Sequence, residues 1–236
     1  MGVSDPTITV LTATLGGRPE MLAEAVESVR TQTFRDWEHI VVDDGSGLVP
    51  DIDGVRVLRV SHRGLGPARN AGLEAARGRV IALLDDDDLW YPHHLETVWA
   101  AMETSGADVA YADCDEVGRR DGFSIAVGPF DAERLARENF ICVPATLVRA
   151  EALRSVGGFP EGELEDWHLW KAMHAAGARF QFVPRRTVAY RFHSDNLTYG
   201  GVDPERTRAA AALRAEVEAG LISWAEYERR VVEVWS

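Results

Sequence analysis

Short apolar runs alternate with amphipathic segments in the first half of the sequence, and this alternation restricts the possible folds most. Four runs have the length and β-branched content of strands: residues 8–12, 38–42, 55–60 and 80–84. Between them, residues 20–31 carry apolar side chains at helical spacing, and residues 67–77 begin with a proline and stop before a glycine. Strands that alternate with helices form a largely parallel sheet covered on both faces. The sequence therefore predicts an α/β fold.

Polar segments follow directly on three of these strands. They are residues 12–18, 43–46 and 85–88. Short right-handed connections bring the carboxyl ends of parallel strands to one edge of the sheet, where α/β proteins bind ligands. We therefore expect residues that are distant in sequence to share one site at that edge.

The second half of the sequence is less regular. It predicts strands at 109–111, 124–127, 145–148, 180–183 and 188–192, and helices at 131–138 and 165–175. Two further helices are predicted at 205–218 and 224–234, with Gly220 between them. We expect one compact unit followed by a helical tail, which either caps the domain or joins two copies of the chain as a homodimer.

Charge and composition exclude several classes of function. The net charge of −13 argues against nucleic-acid binding, which needs a basic surface. Lys171 is the only lysine, so phosphate binding would depend on arginines or a metal. No apolar run is long enough to span a membrane, and the N-terminus lacks the pattern of a signal peptide. With only Cys114 and Cys142, a disulfide framework is not indicated, and we expect a cytoplasmic protein.

Four consecutive aspartates, Asp85–Asp88, follow the strand at 80–84. Such a run is often a solvated loop or the first turn of a helix. However, a buried strand precedes it and aromatic residues, Trp90 and Tyr91, follow it, which favours a binding site. Carboxylate ligands suit Mg²⁺ or Mn²⁺, which commonly connect one or two carboxylates to substrate phosphates. The run therefore predicts a divalent metal, Mn²⁺ or Mg²⁺, as cofactor.

Two acidic pairs admit both a structural and a functional interpretation. Asp43 and Asp44 suit an ordinary turn with Gly45, or a contact to a nucleobase or a ribose hydroxyl. Glu165 and Asp166 suit the first turn of a helix, or a general base whose basicity is raised by its neighbour. The residues alone favour the structural interpretation of both pairs without excluding the functional one.

Several motifs follow one another along the chain in a recognisable order. In the first half they are Thr12-Ala13-Thr14 with Arg18, residues 25–34, residues 37–46, Gly66-Pro67-Ala68-Arg69-Asn70 and residues 84–90. In the second half they are Gly157-Gly158-Phe159, residues 165–170 and Arg191-Phe192-His193. Together they strongly resemble the motifs of the family 2 glycosyltransferases over about residues 7–198.

The resemblance implies a GT-A fold, with a Rossmann-like, mostly parallel central sheet flanked by helices and a helical C-terminal tail. The implied glycosyltransferase domain covers residues 1–202, of which about 1–112 bind the nucleotide-sugar and 113–202 bind the acceptor. Residues 203–236 form the C-terminal extension. The implied reaction inverts the anomeric carbon in one displacement. Its donor is a nucleoside-diphosphate-sugar, with a UDP-sugar favoured, and its acceptor is a glycan, a lipid-linked glycan or a small molecule.

The resemblance also assigns roles to individual residues. The implied nucleotide-sugar-binding residues are Thr12, Ala13, Thr14, Arg18, Asp43, Asp44, Arg69, Asn70, Asp85 and Asp86. Asp87 is implied as the direct metal ligand, and His193 as a contact to the metal or the diphosphate. Asp166 is the implied base, with Glu165 beside it.

Trp167 and Trp170 lie three residues apart, so they share one face of the predicted helix at 165–175. Such aromatic residues commonly pack in the core, but a ring of this kind can also stack on a sugar of the acceptor.

Two other functions remain open at this level. One is a metal-dependent nucleotide-sugar phosphohydrolase or nucleotidyltransferase, which would use the same aspartates but lacks a distinct nucleophile motif. The other is a noncatalytic module that binds nucleotide or carbohydrate, against which the complete acidic sets argue.

Overall fold

The computed structural model describes residues 5–117 and 127–192, with six further positions at 216, 221, 222, 226, 229 and 230. The chain divides into two compact units, residues 1–116 with 123–190, and residues 117–122 with 191–236. In the second unit, the backbone N–H of Phe192 donates to the carbonyl of Val117 at 2.8 Å, and Arg230 pairs with Glu216 at 2.9 Å. His193, the predicted strand at 124–127 except Val127, and nearly all of the predicted tail helices lie outside the described residues.

Among the described residues, eight strands form one sheet. Their bounds are β1 Ile8–Thr14, β2 Trp37–Asp44, β3 Arg56–Val60, β4 Val80–Leu83, β5 Leu89–Trp90, β6 Val109–Val117, β7 Thr146–Arg149 and β8 Phe180–Arg191. The strand order is β3-β2-β1-β4-β7-β6-β8-β5. The neighbours β3, β2, β1 and β4 run parallel, whereas β7 is antiparallel to both β4 and β6, and β5 is antiparallel to β8.

Six α-helices and a short 3₁₀ helix connect the described strands. They are α1 Pro19–Arg30, α2 Leu65–Ala75, α3 His94–Ser105, α4 Ala132–Leu135, α5 Ala150–Ser155, α6 Glu165–Ala175 and η1 Val143–Ala145. Proline lies in the first turn of α1, and α3 ends at Gly106 in the left-handed conformation, with φ of 64°.

The central strands of the sheet are buried on both faces, and all seven residues of β1 are buried. Leu11 and Ala13 point into one apolar cluster, which includes side chains of α2 and α6. Ile8 and Val10 point into a second cluster on the other face, with side chains of α1 and α3. The predicted α/β architecture with helices on both faces is therefore confirmed.

Four predicted elements differ markedly from the structure, and one of them, the strand predicted at 109–111, extends to Val117 as β6. The two predicted strands at 180–183 and 188–192 are one strand, β8, which continues through Pro184. The predicted helix at 131–138 is only four residues long, because the chain turns after α4 to bury Phe140. Within the described part of the chain, no helix has both the length and the apolar character needed to cross a membrane.

Candidate active site

The carboxyl ends of three neighbouring parallel strands meet at one edge of the sheet, as the sequence predicts. Thr14 at the end of β1 lies opposite Asp43 in β2. On the other side of β1, the backbone N–H of Leu84 donates to the carbonyl of Leu11 at 3.1 Å, which continues the pairing beyond β4. The segment Asp85–Asp88 therefore starts beside the loop that follows β1.

Arg18, from the loop after β1, binds two of the four aspartates. One terminal nitrogen lies 2.7 Å from Oδ1 of Asp86, and the other lies 2.8 Å from Oδ2 of Asp87. Thr14 also donates its hydroxyl to Oδ2 of Asp86. Burial raises the pKa of Asp86, while Thr14 and Arg18 oppose this effect. Two nearly buried carboxylates thus face one cation at the sheet edge.

This pair of carboxylates has the chemistry of a site that shares a metal with a substrate. Within residues 5–117 and 127–192, no three His, Cys, Asp or Glu side chains are grouped closely enough to hold a metal by themselves. Asp86 and Asp87 nevertheless present oxygen atoms within 2.8 Å of a cationic group. Mg²⁺ and similar ions typically take one or two carboxylates and complete their ligands with phosphate and water oxygens. The described residues fit such a shared site.

Arg69 connects the aspartate segment to the start of α6. Its guanidinium lies 2.7 Å from Oδ1 of Asp85 and 2.5 Å from Oε1 of Glu165, although these residues are far apart in sequence. The Arg69 side chain is only 4% exposed, and its guanidinium carbon lies 5.4 Å from the centre of the Phe159 ring. Burial alone would lower the pKa of Arg69, but the two carboxylates raise it above its usual range.

The carboxylates around Arg69 have raised pKa values. Burial raises the pKa of Asp85 to about 6, and Arg69 counteracts part of that effect. Burial also raises the pKa of Glu165, to which the charge of Asp166 adds. For Asp166 the main cause is again burial, opposed by Arg69. Carboxylates with raised basicity beside a cation are a common feature of active sites.

Both acids in the first turn of α6 lie at a position fixed by the backbone. Leu164, which precedes the helix, has a φ of 57° and is the one non-glycine residue with positive φ in the described ranges. Asp166 accepts a hydrogen bond from Nδ2 of Asn139 at 2.5 Å. Sequence analysis did not identify Asn139, because it lies in an irregular loop outside every motif.

Asp43 and Asp44 bind the backbone of the loops that follow them. Asp43 accepts hydrogen bonds from the backbone N–H groups of Ser46 at 2.8 Å and Gly47 at 3.0 Å. Asp44 accepts from Arg63 and Gly64, both at 2.9 Å, and lies 2.8 Å from Nδ1 of His62. Burial would raise the pKa of Asp43, but the bonds from Ser46 and Gly47 lower it overall. These carboxylates therefore shape the rim of the site.

Thr12, Ala13 and Asn70 support the site from beneath or beside it. Thr12 and Ala13 are buried in β1, and the Thr12 hydroxyl lies 3.1 Å from Nε2 of His39. Asn70 accepts from the backbone N–H of Phe159 at 2.8 Å and donates to its carbonyl at 2.7 Å. Asn70 thereby fixes the segment that leads into α6.

Trp167 and Trp170 lie in the hydrophobic core. Trp170 is fully buried, and Trp167 is 3% exposed, with its indole N–H donating to the carbonyl of Leu135 at 2.7 Å. Neither ring is open to a sugar in this conformation. Of the two roles that the sequence allowed for these tryptophans, the geometry supports packing in the core.

The amino-acid sequence matches one protein family and is similar to several curated proteins. A family model described as Glycosyl transferase family 2 matches residues 9–142, more than half of the chain. The succinoglycan biosynthesis protein ExoO of Rhizobium meliloti is 35% identical over 162 residues, which is 65% of this chain and 45% of that protein. The chain spans about half the length of the curated relatives it matches first.

Solved structures with low sequence identity share the fold. Residues 1–349 of S. aureus TarS, in complex with UDP-GlcNAc, superpose with a TM-score of 0.67 at 17% identity, covering 97% of this chain and 71% of that one. The mannosyltransferase PcManGT from Pyrobaculum calidifontis, in complex with GDP-Man and Mn²⁺, gives a TM-score of 0.64 at 17% identity, covering 98% and 69%. The expected GT-A fold is confirmed.

Proposed function

The chain belongs to glycosyl transferase family 2, and from this membership we propose that it transfers a sugar from a nucleoside-diphosphate-sugar to an acceptor hydroxyl with inversion. The observation that carries the proposal is the position of Arg69. Its guanidinium contacts Asp85 at the sheet edge and Glu165 at the start of α6. Arg69 thus links Asp85, on the side where we place the donor, to Glu165 and its neighbour Asp166, which we place beside the acceptor.

Asp166 is the proposed general base. An acceptor hydroxyl is a weak acid, so a carboxylate must take its proton as the new bond to the anomeric carbon forms. Burial raises the pKa of Asp166, which makes it a stronger base than an exposed aspartate. Glu165 is already bound to Arg69 at 2.5 Å, so we assign it the task of holding that arginine.

Asp86 and Asp87 are the proposed residues for the metal and the donor diphosphate, with Asp87 as a direct ligand. A bound divalent cation supplies stabilisation of the negative charge on the leaving diphosphate. Arg18 contacts both carboxylates, so we expect it to move toward the phosphates when a cation takes its place. His193 remains a proposed further contact, outside the described residues.

We propose a UDP-sugar as the donor and a glycan as the acceptor. The relatives support this class without fixing its members, since TarS is solved with UDP-GlcNAc, PcManGT with GDP-Man, and ExoO is named for succinoglycan biosynthesis. Residues 1–112 are assigned to the donor and 113–202 to the acceptor. Asp43 and Asp44, buried at the end of β2, are the proposed contacts to base and ribose.

The donor class is tested by thermal shift with UDP, GDP and dTDP, each with and without Mn²⁺. A ligand that binds the folded state stabilises it by RT ln(1 + [L]/Kd), so the matching nucleotide raises Tm most. We expect UDP with Mn²⁺ to give the largest shift. Equal, negligible shifts for all three nucleotides would argue against a nucleotide-sugar enzyme.

The base is tested by the substitution Asp166→Asn. We expect kcat for sugar transfer to fall by about 10²-fold or more, because an amide cannot accept the proton, while the affinity for the donor stays unchanged. Asp53→Asn, at an exposed position before β3, is the matched control and should keep full activity. Turnover at the wild-type rate in the Asp166 variant would exclude this residue as the base.

The metal site is tested by the substitution Asp87→Asn. Isothermal titration calorimetry measures the binding of Mn²⁺ to this variant and to the wild type in the presence of UDP. We expect weaker binding of the metal–nucleotide pair, because one of the two carboxylates facing the cation is lost. Unchanged Mn²⁺ affinity would remove Asp87 from the ligand set.

A further inference from the structure

Asn139 lies in the loop between α4 and η1 and contacts the proposed base directly. Its Nδ2 donates to Oδ2 of Asp166 at 2.5 Å. A charge-assisted hydrogen bond of this kind is short and directional. It therefore restricts the rotation of the Asp166 carboxylate.

The loop that carries Asn139 is anchored on both sides. Before it, the carbonyl of Leu135 accepts the indole N–H of Trp167 at 2.7 Å, which ties α4 to the helix of the proposed base. After it, Phe140 is fully buried, and the guanidinium carbon of Arg134 lies 4.4 Å from the centre of its ring. Asn139 is thus presented to Asp166 by fixed neighbours, as precise positioning requires.

The rest of the Asn139 amide is poorly suited to a purely structural role. Its Oδ1 is buried and accepts no hydrogen bond from any residue that the structure describes. A buried acceptor without a donor destabilises the folded state. A side chain selected for packing alone would be apolar here, so the amide is better explained by what its Nδ2 does for Asp166.

We propose that Asn139 is a positioning residue, which holds one oxygen of Asp166 so that the other oxygen faces the acceptor hydroxyl. This inference rests on the proposed function, since it assigns Asn139 a task in the same reaction. Asn139 itself does not touch the reacting atoms.

The charged and titratable groups around Asp166 fix the direction of a pH effect. They are Arg69 from α2, Glu165 from α6 and Asp85 from the segment after β4. Burial raises the pKa of Asp166 most, and Asp85 adds to this effect, whereas Arg69 and the N–H groups of the Trp167 backbone and the Asn139 side chain lower it. Because Asn139 stabilises the ionised carboxylate, its removal raises that pKa, and activity then falls at a higher pH on the acid side.

The test measures kcat and KM against pH for the wild type, Asn139→Ala and Asn139→Asp. We expect kcat to fall by on the order of 10²-fold or less, with KM for the donor unchanged. The acid limb of the kcat profile should move to higher pH in Asn139→Ala and further in Asn139→Asp, where two carboxylates face each other. Glu133→Gln in α4 is the matched control, because the Glu133 side chain is 88% exposed, lies 3.9 Å from Arg137 and is assigned no part in the reaction. Its acid limb should stay in place.

A second measurement does not depend on activity. The pKa of Asp166 is followed by carbon-13 NMR of aspartate carboxyls, with the signal assigned by its loss in Asp166→Asn. We expect this pKa to be higher in Asn139→Ala than in the wild type. The positioning role is overturned if Asn139→Ala changes neither the pKa of Asp166 nor the acid limb of the kcat profile, even if kcat falls. The proposed function and the positioning role can fail separately. If the wild type transfers sugar from no donor, the proposed function is refuted. If Asn139→Ala still raises the pKa of Asp166 in that case, the contact between the two residues stands.

Discussion

Arg69 is the residue on which most of the buried charge in the site depends. It is nearly inaccessible to solvent, and it pairs with Asp85 and with Glu165, whose side chain is 10% exposed. An arginine can bind two carboxylates at once because its guanidinium presents several N–H groups in a planar fork. If it is lost, two partly or fully buried carboxylates remain without their cation, which is costly in a medium of low dielectric constant.

We therefore expect Arg69→Met to lower the free energy of unfolding by about 3–5 kcal/mol. Urea denaturation at pH 7 measures this change. Arg63→Met is the matched control, because Arg63 pairs with Glu161 on the surface, where both side chains are more than 60% exposed. Such a pair contributes little to stability. Similar losses in the two variants would contradict the buried role of Arg69.

Among the helices, α2 approaches the segment before α6 unusually closely, and Gly66 makes this approach possible. A Cβ atom at Gly66 would lie 2.1 Å from the carbonyl oxygen of Pro160. That oxygen belongs to the backbone, so it cannot rotate away as a side chain can. The contact holds α2, which carries Arg69, against the chain that leads to Glu165.

We expect Gly66→Ala to destabilise the protein by about 1–3 kcal/mol through overpacking and to lower transfer activity. Gly17→Ala is the matched control, since a Cβ there would meet nothing within 4 Å and the backbone does not have a positive φ. Its effect should stay within about 0.5 kcal/mol. Urea denaturation measures the stability of both variants, and a sugar-transfer assay measures the activity of Gly66→Ala. Equal stability of the two variants would show that the segment around Pro160 moves freely.

Elements with strong local signals were predictable, and elements set by tertiary contacts were not. The helix α6 has the predicted bounds, Glu165–Ala175, because acidic residues mark its start and apolar side chains recur at helical spacing. In place of β8, two strands were predicted at 180–183 and 188–192, on either side of the segment that contains Pro184. The short β5 pairs only with Val188 and Ala189, so Pro184 lies at an exposed edge position where a missing N–H is tolerated.

The same distinction applies to the site. The meeting of the three strand ends followed from parallel topology alone, and Thr14, Arg18, Asp86 and Asp87 do come together there. The bond between Asn139 and Asp166 was not predictable, because α4 ends early and irregular chain then carries Asn139 to α6. Nor does the sequence alone reveal that Glu165 is bound by Arg69, from the helix α2.

The larger of the two compact units contains two buried histidines, His39 and His94. His39 in β2 lies beneath the strand-end site, and His94 begins α3, with its ring stacked on Trp90 at a centroid distance of 4.4 Å. Burial lowers the pKa of each to about 3. Both histidines are therefore neutral in the folded protein over the whole range in which an unfolded chain takes up their protons.

The contribution of each buried histidine to stability should consequently fall as the solution becomes acidic, and His94 gives a direct test. The ordinary pKa of histidine is about 6.5, so below that pH the unfolded state binds a proton that folded His94, with a pKa of about 3, does not bind. The stability that depends on neutral His94 is thus fully present above pH 6.5 and is lost as the pH falls toward 3. Between pH 7 and pH 5 this loss amounts to about 2 kcal/mol.

We expect the substitution His94→Asn to remove that part of the pH dependence, because an amide does not titrate in this range. Asparagine can still bind the Thr187 hydroxyl, which lies 2.8 Å from Nδ1 of His94, although the lost ring lowers stability at every pH. Urea denaturation at pH 5, 7 and 8.5 measures both effects. Above pH 7 the curves of wild type and variant should run parallel, and between pH 7 and pH 5 the wild type should lose about 2 kcal/mol more than the variant. If the two proteins lost equal stability on acidification, His94 would have to bind its proton in the folded state, which its burial against Trp90 and its neighbour His93 oppose.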